Sequence, residues 1–328
     1  MKDIKIIGEI ANTHDGDFNY LLKMLELAHR AKLDYVKVQM FTANGLVTKD
    51  HPKYKDYVQK EFTIEEWLQV SDFCNKKKLK LIAEIFDTDS LKISEKMNIC
   101  AYKIHSTNLL DYELIDIIAK SEKTIFLSAG GTTIDEIENA INIIRKNGSN
   151  KIVLLNGFQN FPTDISDTNL NRIFLLKQRF KLDIGLQDHI NGEEYLSKIV
   201  PFMALSMGYK YIEKHYTLDR SAKGVDYYSS LNPDELINLT KELKRSTKLF
   251  GDSNFSFSDA ENNYRQAMKK KVVASRNLKK GQTITQNDIS YKRSTNEGIL
   301  TDQIKLILNK KINKDILQDD TIKLKDLI

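Results

Sequence analysis

Eight short apolar runs, each followed by a longer amphipathic stretch, constrain this 328-residue chain more than any other feature. The runs fall at 4–10, 35–40, 79–85, 101–104, 124–128, 152–156, 183–186 and 209–213, and are rich in Ile, Val and Leu. Runs this short and this continuously apolar are the pattern of strands buried on both faces. The stretches at 20–31, 63–77, 89–97, 112–119, 134–146, 169–179, 193–207 and 233–249 carry apolar residues at helical spacing. Thr63 with Glu66 forms a capping box, and Asn232-Pro233 sets a cap and an N1 proline before the last helix. Eight strand–helix units in about 250 residues predict an α/β chain closed into a (β/α)₈ TIM barrel. An open doubly wound sheet is the alternative. Its glycine-rich signature is missing, because the turn after Glu9 reads Ile10-Ala11-Asn12-Thr13-His14-Asp15-Gly16.

The barrel is expected to span residues 1–250. Residues 251–270 lose the pattern, turn polar, and read as a linker. A small strand-rich domain is expected over 271–328. Its cadence Leu278-Lys279-Lys280-Gly281-Gln282-Thr283-Ile284 returns as Ile316-Leu317-Gln318-Asp319-Asp320-Thr321-Ile322, which suggests an internal duplication.

Composition excludes several classes. No apolar stretch reaches the roughly 20 residues of a membrane span. Met1-Lys2-Asp3-Ile4 runs straight into the first strand without the pattern of a signal peptide. Cys74 and Cys100 lack CxxC spacing and read as buried free thiols, so a cytoplasmic setting is expected. The net charge is +5, and 251–328 holds 15 basic against 10 acidic residues. Lys269-Lys270-Lys271 and Lys279-Lys280 have no aromatic interleaving, so they read as solvated surface and not as a nucleic-acid site.

Function in a barrel of this kind sits at the C-terminal ends of the strands. Those ends carry Glu9; Lys37 and Gln39; Glu84; Lys103, His105 and Ser106; Ser128; Asn156 and Gln159; Asp188 and His189; Glu213 and His215. Any one of them is a plausible rim residue. Together they predict a polar basin. Lys37 and Lys103 with Ser106 and Ser128 suit a phosphate or carboxylate. His189 and His215, on adjacent strands, offer imidazole nitrogens to one divalent ion. Glu9, Asp188, Glu213 or Asp226 would ligate it or orient the rings. Two satisfied structural histidines are the alternative. Imidazole with oxygen ligands suits Mn²⁺, Mg²⁺, Co²⁺ or Zn²⁺ without choosing among them.

These positions resemble the sialic acid synthase (N-acetylneuraminate synthase) family. The resemblance rests on Gly8-Glu9-Ile10 with Asn12 and His14-Asp15-Gly16; Val36-Lys37-Val38-Gln39; Tyr102-Lys103-Ile104 with Ser106; Leu127-Ser128-Ala129-Gly130; Phe161-Pro162-Thr163; Gly185-Leu186 with Asp188-His189; Ile212-Glu213-Lys214-His215; Asp226; and Ser230-Leu231-Asn232-Pro233. It covers the whole chain and implies a barrel followed by a domain similar to type III antifreeze proteins. It also implies condensation of phosphoenolpyruvate with an N-acylated hexosamine to a nine-carbon 2-keto-3-deoxy sugar acid and phosphate. Lys37, Lys103, Ser106, Ser128, Gln159 and Gln187 would then hold phosphoenolpyruvate. Gln39, Asn108, Phe161 and Arg293 would face the sugar. Glu9, Glu213 and Asp226 would be catalytic. His189 and His215 would hold the metal, Mn²⁺ first, to polarise the aldehyde. Arg293 would act across a homodimer with exchanged small domains.

The chain departs from the family's usual residues. Glu84 replaces a Thr or Ser, Gln187 a Ser, Asn108 a Glu, and Ser294-Thr295 the Pro-Gly after the arginine. The loop after strand six reads Gly157-Phe158-Gln159-Asn160-Phe161-Pro162-Thr163-Asp164. Two rival functions remain at this level: another carbon–carbon bond-forming barrel enzyme with a different aldose, and a non-catalytic sugar-binding protein.

Overall fold

The computed structural model describes residues 4–148 and 151–328; the first three residues of the chain lie outside them. Eight strands close into a barrel: β1 Lys5–Glu9, β2 Tyr35–Met40, β3 Lys80–Ile85, β4 Ile99–Ile104, β5 Thr124–Ser128, β6 Ile152–Gly157, β7 Asp183–Asp188 and β8 Tyr211–His215. Every neighbouring pair is parallel, and β1 pairs with β8 to complete the ring. The helices of this part are α1 Phe18–Arg30, α2 Ala43–Leu46, α3 Tyr54–Lys60, α4 Ile64–Lys77, α5 Thr88–Ser94, α6 Tyr112–Ala119, α7 Ile134–Lys146, α8 Arg172–Phe180, α9 Leu196–Met207 and α10 Pro233–Ser246. The expected capping box opens α4: the Thr63 hydroxyl accepts from Glu66 N–H at 3.2 Å, and Glu66 Oε2 accepts from Thr63 N–H at 2.8 Å. At α10, Glu235 caps Asn232 N–H at 2.9 Å, with Pro233 at the first turn.

Strand parity sorts the side chains. Val36, Leu81, Leu127, Ile184 and Ile212 point outward and pack under the helices. Ile7, Ile82, Ala101, Phe126, Val153 and Leu155 point inward and fill the barrel floor with Tyr35 and Tyr211. Two residues further along the strands, the same inward parity delivers Glu9, Lys37, Glu84, Lys103, Ser128, Gly157, Gln187 and Glu213. Apolar floor gives way to a buried polar layer within one step of the pleat, as expected where a barrel's site begins.

Several expectations need correcting. α2 and α3 occupy a stretch that has no predicted element. Residues 251–270 are not a patternless linker: they contain α11, Asp259–Met268, whose N-cap Ser258 accepts from Glu261 N–H at 3.2 Å. Cys74 is buried, but Cys100, the outward residue of a β4 position, is exposed; both are free. Among the described residues no helix is long and apolar enough to cross a membrane.

Contacts divide the chain into Met1–Gly251 and Asp252–Ile328. The second unit pairs β9, Lys270–Ala274, antiparallel to β10, Ile289–Arg293. Its core includes Val272, Leu278, Ile284, Ile289, Ile312, Ile316 and Ile322. The repeated cadence has a structural counterpart. Gly281 and Asp319, at the same place in each copy, both take positive φ, 84° and 70°. The two copies also touch, through the bridge Leu278↔Ile316.

Candidate active site

The strand ends of the barrel enclose a cavity of about 300 Å³. Its wall includes Glu9, Lys37, Gln39, Glu84, Lys103, Gln159, Phe161, Gln187, His189, Glu213, His215 and Asp226. The residues expected to form a basin are therefore largely brought together by closure of the sheet.

Lys37 and Lys103 are buried at the centre, and neither ammonium is free. Lys37 donates to Glu84 Oε2 at 2.6 Å and forms ion pairs with Glu9 and, at 3.5 Å, with Glu213. Lys103 donates to Glu213 Oε1 at 2.7 Å and faces Glu84 Oε1 at 3.3 Å. Burial works to raise the Glu84 carboxyl, but Lys103 and Lys37 outweigh it and hold the group well below the usual carboxylate range. Glu213 follows the same balance: burial raises it, the two lysines prevail, and its pKa comes down to about 2. Burial lowers Lys37 to about 8 against the pull of Glu213 and Glu84. Burial works the same way on Lys103, but Glu213 and Glu84 leave it above the ordinary lysine value. Glu84 therefore neither points away from the basin nor takes a proton.

Amides tie the layer into one network. Asn12 donates to Gln39 Oε1 at 3.0 Å, and Gln39 Nε2 donates to Glu84 Oε2 at 3.1 Å. On the opposite side Gln159 donates to Ser128 Oγ at 3.3 Å, and Ser128 donates to Gln187 Oε1 at 2.7 Å. Gln187 Nε2 continues to Glu213 Oε1 at 3.2 Å. Ser128 is fully buried behind the glutamines and reaches the cavity through them. β6 contributes Gly157 here for a steric reason, since a Cβ on Gly157 would lie 2.7 Å from that of Gln187.

The two histidines meet as expected, with ring centroids 5.1 Å apart. His189 Nδ1 lies 2.9 Å from Phe158 O, so it carries the proton and leaves Nε2 bare. Burial lowers His189 to about 4 and His215 well below the ordinary value, so both rings are neutral at pH 7. His215 Nδ1 and Glu213 Oε2 are buried without a hydrogen-bond partner among the described residues. Phe161 packs edge-on against His189 at 4.4 Å. Two neutral imidazoles with orphaned acceptors beside them fit part of a divalent-ion shell. Among the described residues, no group of three or more His, Cys, Asp or Glu side chains is arranged to hold an ion by itself.

Five expected contributors lie elsewhere. Asn156 follows the outward parity of β6 and donates to Tyr209 Oη at 2.9 Å. Asp188 follows the outward parity of β7 and forms a buried ion pair with Lys214 of β8 at 2.7 Å, so it is no ligand. The chain leaves β4 in a 3₁₀ turn, which puts His105 and Thr107 on the wall and takes Ser106 off it. Asn108 turns back to donate to Phe86 O at 3.1 Å. Arg293 is exposed on β10 in the second unit. Conversely, Leu46 and Tyr57 line the cavity from α2 and α3, and Phe41 and Phe86 join them. Tyr54, Tyr57 and Val58, at i, i+3 and i+4, were the available signal for α3.

A TIM barrel with a buried lysine–carboxylate layer and paired neutral histidines in one cavity at its mouth has the make-up of an enzyme's active site. The particular family follows from sequence: residues 24–255 match the NeuB family and 270–328 the SAF domain, and the chain belongs to the NeuB family, enzymes of the sialic acid synthase type. It is 30% identical to the N,N'-diacetyllegionaminic acid synthase of Campylobacter jejuni, over 98% of this chain and 100% of that one. It is 31% identical to an uncharacterised protein of Methanocaldococcus jannaschii, over 98% and 94%. Its fold superposes on the N-acetylneuraminic acid synthetase of Leptospira borgpetersenii with a TM-score of 0.73 at 30% identity, covering 81% of this chain and 92% of that one.

Proposed function

We propose that this enzyme condenses phosphoenolpyruvate with an N-acylated hexosamine, N-acetylmannosamine or a 2,4-diacetamido relative. The products are a nine-carbon 2-keto-3-deoxy sugar acid, of the sialic, legionaminic or pseudaminic type, and inorganic phosphate. The observation that carries this reading is one cavity in which Lys37 and Lys103 lie at the centre and His189 and His215 stand side by side. The names of its relatives agree with it.

In the reaction the methylene carbon of phosphoenolpyruvate bonds to the aldehyde carbon of the sugar, whose oxygen takes up a proton. Water adds at the neighbouring carbon, the C–O bond breaks, and phosphate leaves with the electron pair. Lys37 and Lys103 oppose the phosphate and carboxylate charges, which grow more localised as phosphate departs. Glu213, ionised and held by Lys103, orients that lysine. Asp226 is the carboxyl suited to exchanging a proton, because burial pushes it above its ordinary value and toward the working pH. His189 and His215 would hold a divalent ion, Mn²⁺ first, whose Lewis acidity makes the aldehyde a better electrophile.

Among the described residues no arginine lines the cavity. Arg293 is exposed at the end of β10, which leaves it available to reach the N-acyl group of the sugar in a second copy, in a homodimer with exchanged small domains. Two free thiols support a cytoplasmic setting. The test is phosphate release from phosphoenolpyruvate in Mn²⁺ across a panel of 2-acetamido and 2,4-diacetamido hexoses. Release with one sugar class is expected; no release with any of them would remove the synthase reading.

A further inference from the structure

Glu84 has no part in the reaction just described, yet it lies at the heart of the basin. Its side chain is fully buried on the cavity wall, on the inward parity of β3, in register with Gln39 on one side and Lys103 on the other. Its carboxylate engages the same two ammonium groups that an anionic substrate needs, at 2.6 Å from Lys37 and 3.3 Å from Lys103. Gln39 Nε2, at 3.1 Å, adds a hydrogen bond that holds it there. Oε1 makes no hydrogen bond among the described residues, so this oxygen faces Lys103 as a charge and not as a well-formed acceptor. Glu9 and Glu213 already pair with Lys37, and Glu213 with Lys103. Three carboxyl groups thus surround two lysines; Glu84 and Glu213 each face both, and Glu84 comes from β3, the strand between the β2 that carries Lys37 and the β4 that carries Lys103.

We propose that Glu84 is an internal counter-ion that occupies the anion subsite and sets how much negative charge a ligand can bring into it. The inference rests on the reading that Lys37 and Lys103 receive the donor's phosphate or carboxylate. A dianion entering the basin meets two ammonium groups already matched, and it must displace the Glu84 carboxylate or sit beside it. Both courses weaken binding, because like charges a few ångströms apart in a water-poor cavity repel strongly. A monoanion meets the same obstacle with half the charge. Glu84 therefore narrows the advantage of dianions over monoanions and is a specificity-determining residue for the donor.

The test measures binding of sulfate, which stays dianionic across the working pH range, and of pyruvate, a monoanion, to the full-length chain by calorimetry. Glu84→Gln keeps the size and an acceptor but removes the charge. It is expected to bind sulfate about tenfold or more tighter than the wild type, with a smaller gain for pyruvate. Glu84→Thr serves as a second uncharged variant, and Glu84→Asp should stay near wild type. An uncharged variant that melts like the wild type but binds sulfate no tighter would overturn the proposal, showing that Glu84 only holds the lysines in place. The wild type gives a check that needs no variant: sulfate binding more than about a hundredfold tighter than pyruvate would also overturn it. Tighter sulfate binding in Glu84→Gln without turnover of phosphoenolpyruvate would leave this inference standing and remove the reaction. Wild-type turnover with unchanged sulfate affinity in the variants would do the reverse.

Discussion

Lys214→Met is the substitution with the best-defined consequence. Lys214 and Asp188 are in register on β8 and β7, their side chains are 0% exposed, and Nζ lies 2.7 Å from Oδ2. Methionine keeps the length of the lysine stem and removes the charge. Asp188 then remains as a buried carboxylate with one hydrogen bond, from Ile190 N–H to Oδ1 at 3.0 Å. Truncating one partner of a buried pair typically costs about 3–5 kcal/mol, and the surviving bond points to the lower end, about 3 kcal/mol. Trp67 is the only tryptophan and is buried in the barrel core, so its fluorescence in urea reports this unit. The midpoint should fall with an unchanged slope. The double variant Asp188→Asn/Lys214→Met, which buries no net charge, should recover more than half of the loss. A loss under about 1 kcal/mol for Lys214→Met, or a double variant less stable than the single one, would refute the reasoning.

His14 predicts a pH dependence of stability. Burial, and then Lys60, lower its pKa from 6.5 to about 4, and its bare Nδ1 accepts from Gly16 N–H at 3.0 Å. Between about pH 6.5 and 4 the unfolded chain binds a proton at this ring and the folded chain does not. Stability present above 6.5 is therefore lost as pH falls through that window, by about 3 kcal/mol in all from this ring, and His14→Gln should make the urea-midpoint profile less steep there, leaving the part that His189 and His215 contribute. His189→Ala and His215→Ala should each abolish Mn²⁺-dependent turnover while leaving the circular dichroism spectrum native; near-wild-type activity in either would rule out the metal role. Arg293→Ala should raise the sugar KM far more than the phosphoenolpyruvate KM, and an equal rise in both would count against a contact with the sugar. Light scattering should report a dimer, and a fully active monomer would contradict Arg293 acting across subunits.

The barrel was legible because its signal is local. A strand buried on both faces must be apolar along its length and a helix packed on it must be apolar on one side, so alternation of the two patterns dictates eight parallel strands and their order. The same rule puts Glu9, Lys37, Lys103, Glu213 and the two histidines at strand ends, where a core offers no reason for them. Parity also explains the correction at Asp188: it and His189 are consecutive in an extended chain, so they cannot both face the basin, and Asp188 is not the ligand the sequence suggested. α2 and α3 carried a weaker signal, because short helices over the mouth have little apolar face to repeat. What only the tertiary structure decided is which charges meet. The pairing of Lys103 on β4 with Glu213 on β8, and of Ser128 on β5 with Gln187 on β7, depends on closure of the sheet and on side chains converging across the barrel from strands that are not neighbours. No single stretch of chain contains those distances. Closure turns two lysines that read as an open anion site into lysines already matched by carboxylates, because a buried ammonium without a counter-charge is too costly to leave alone.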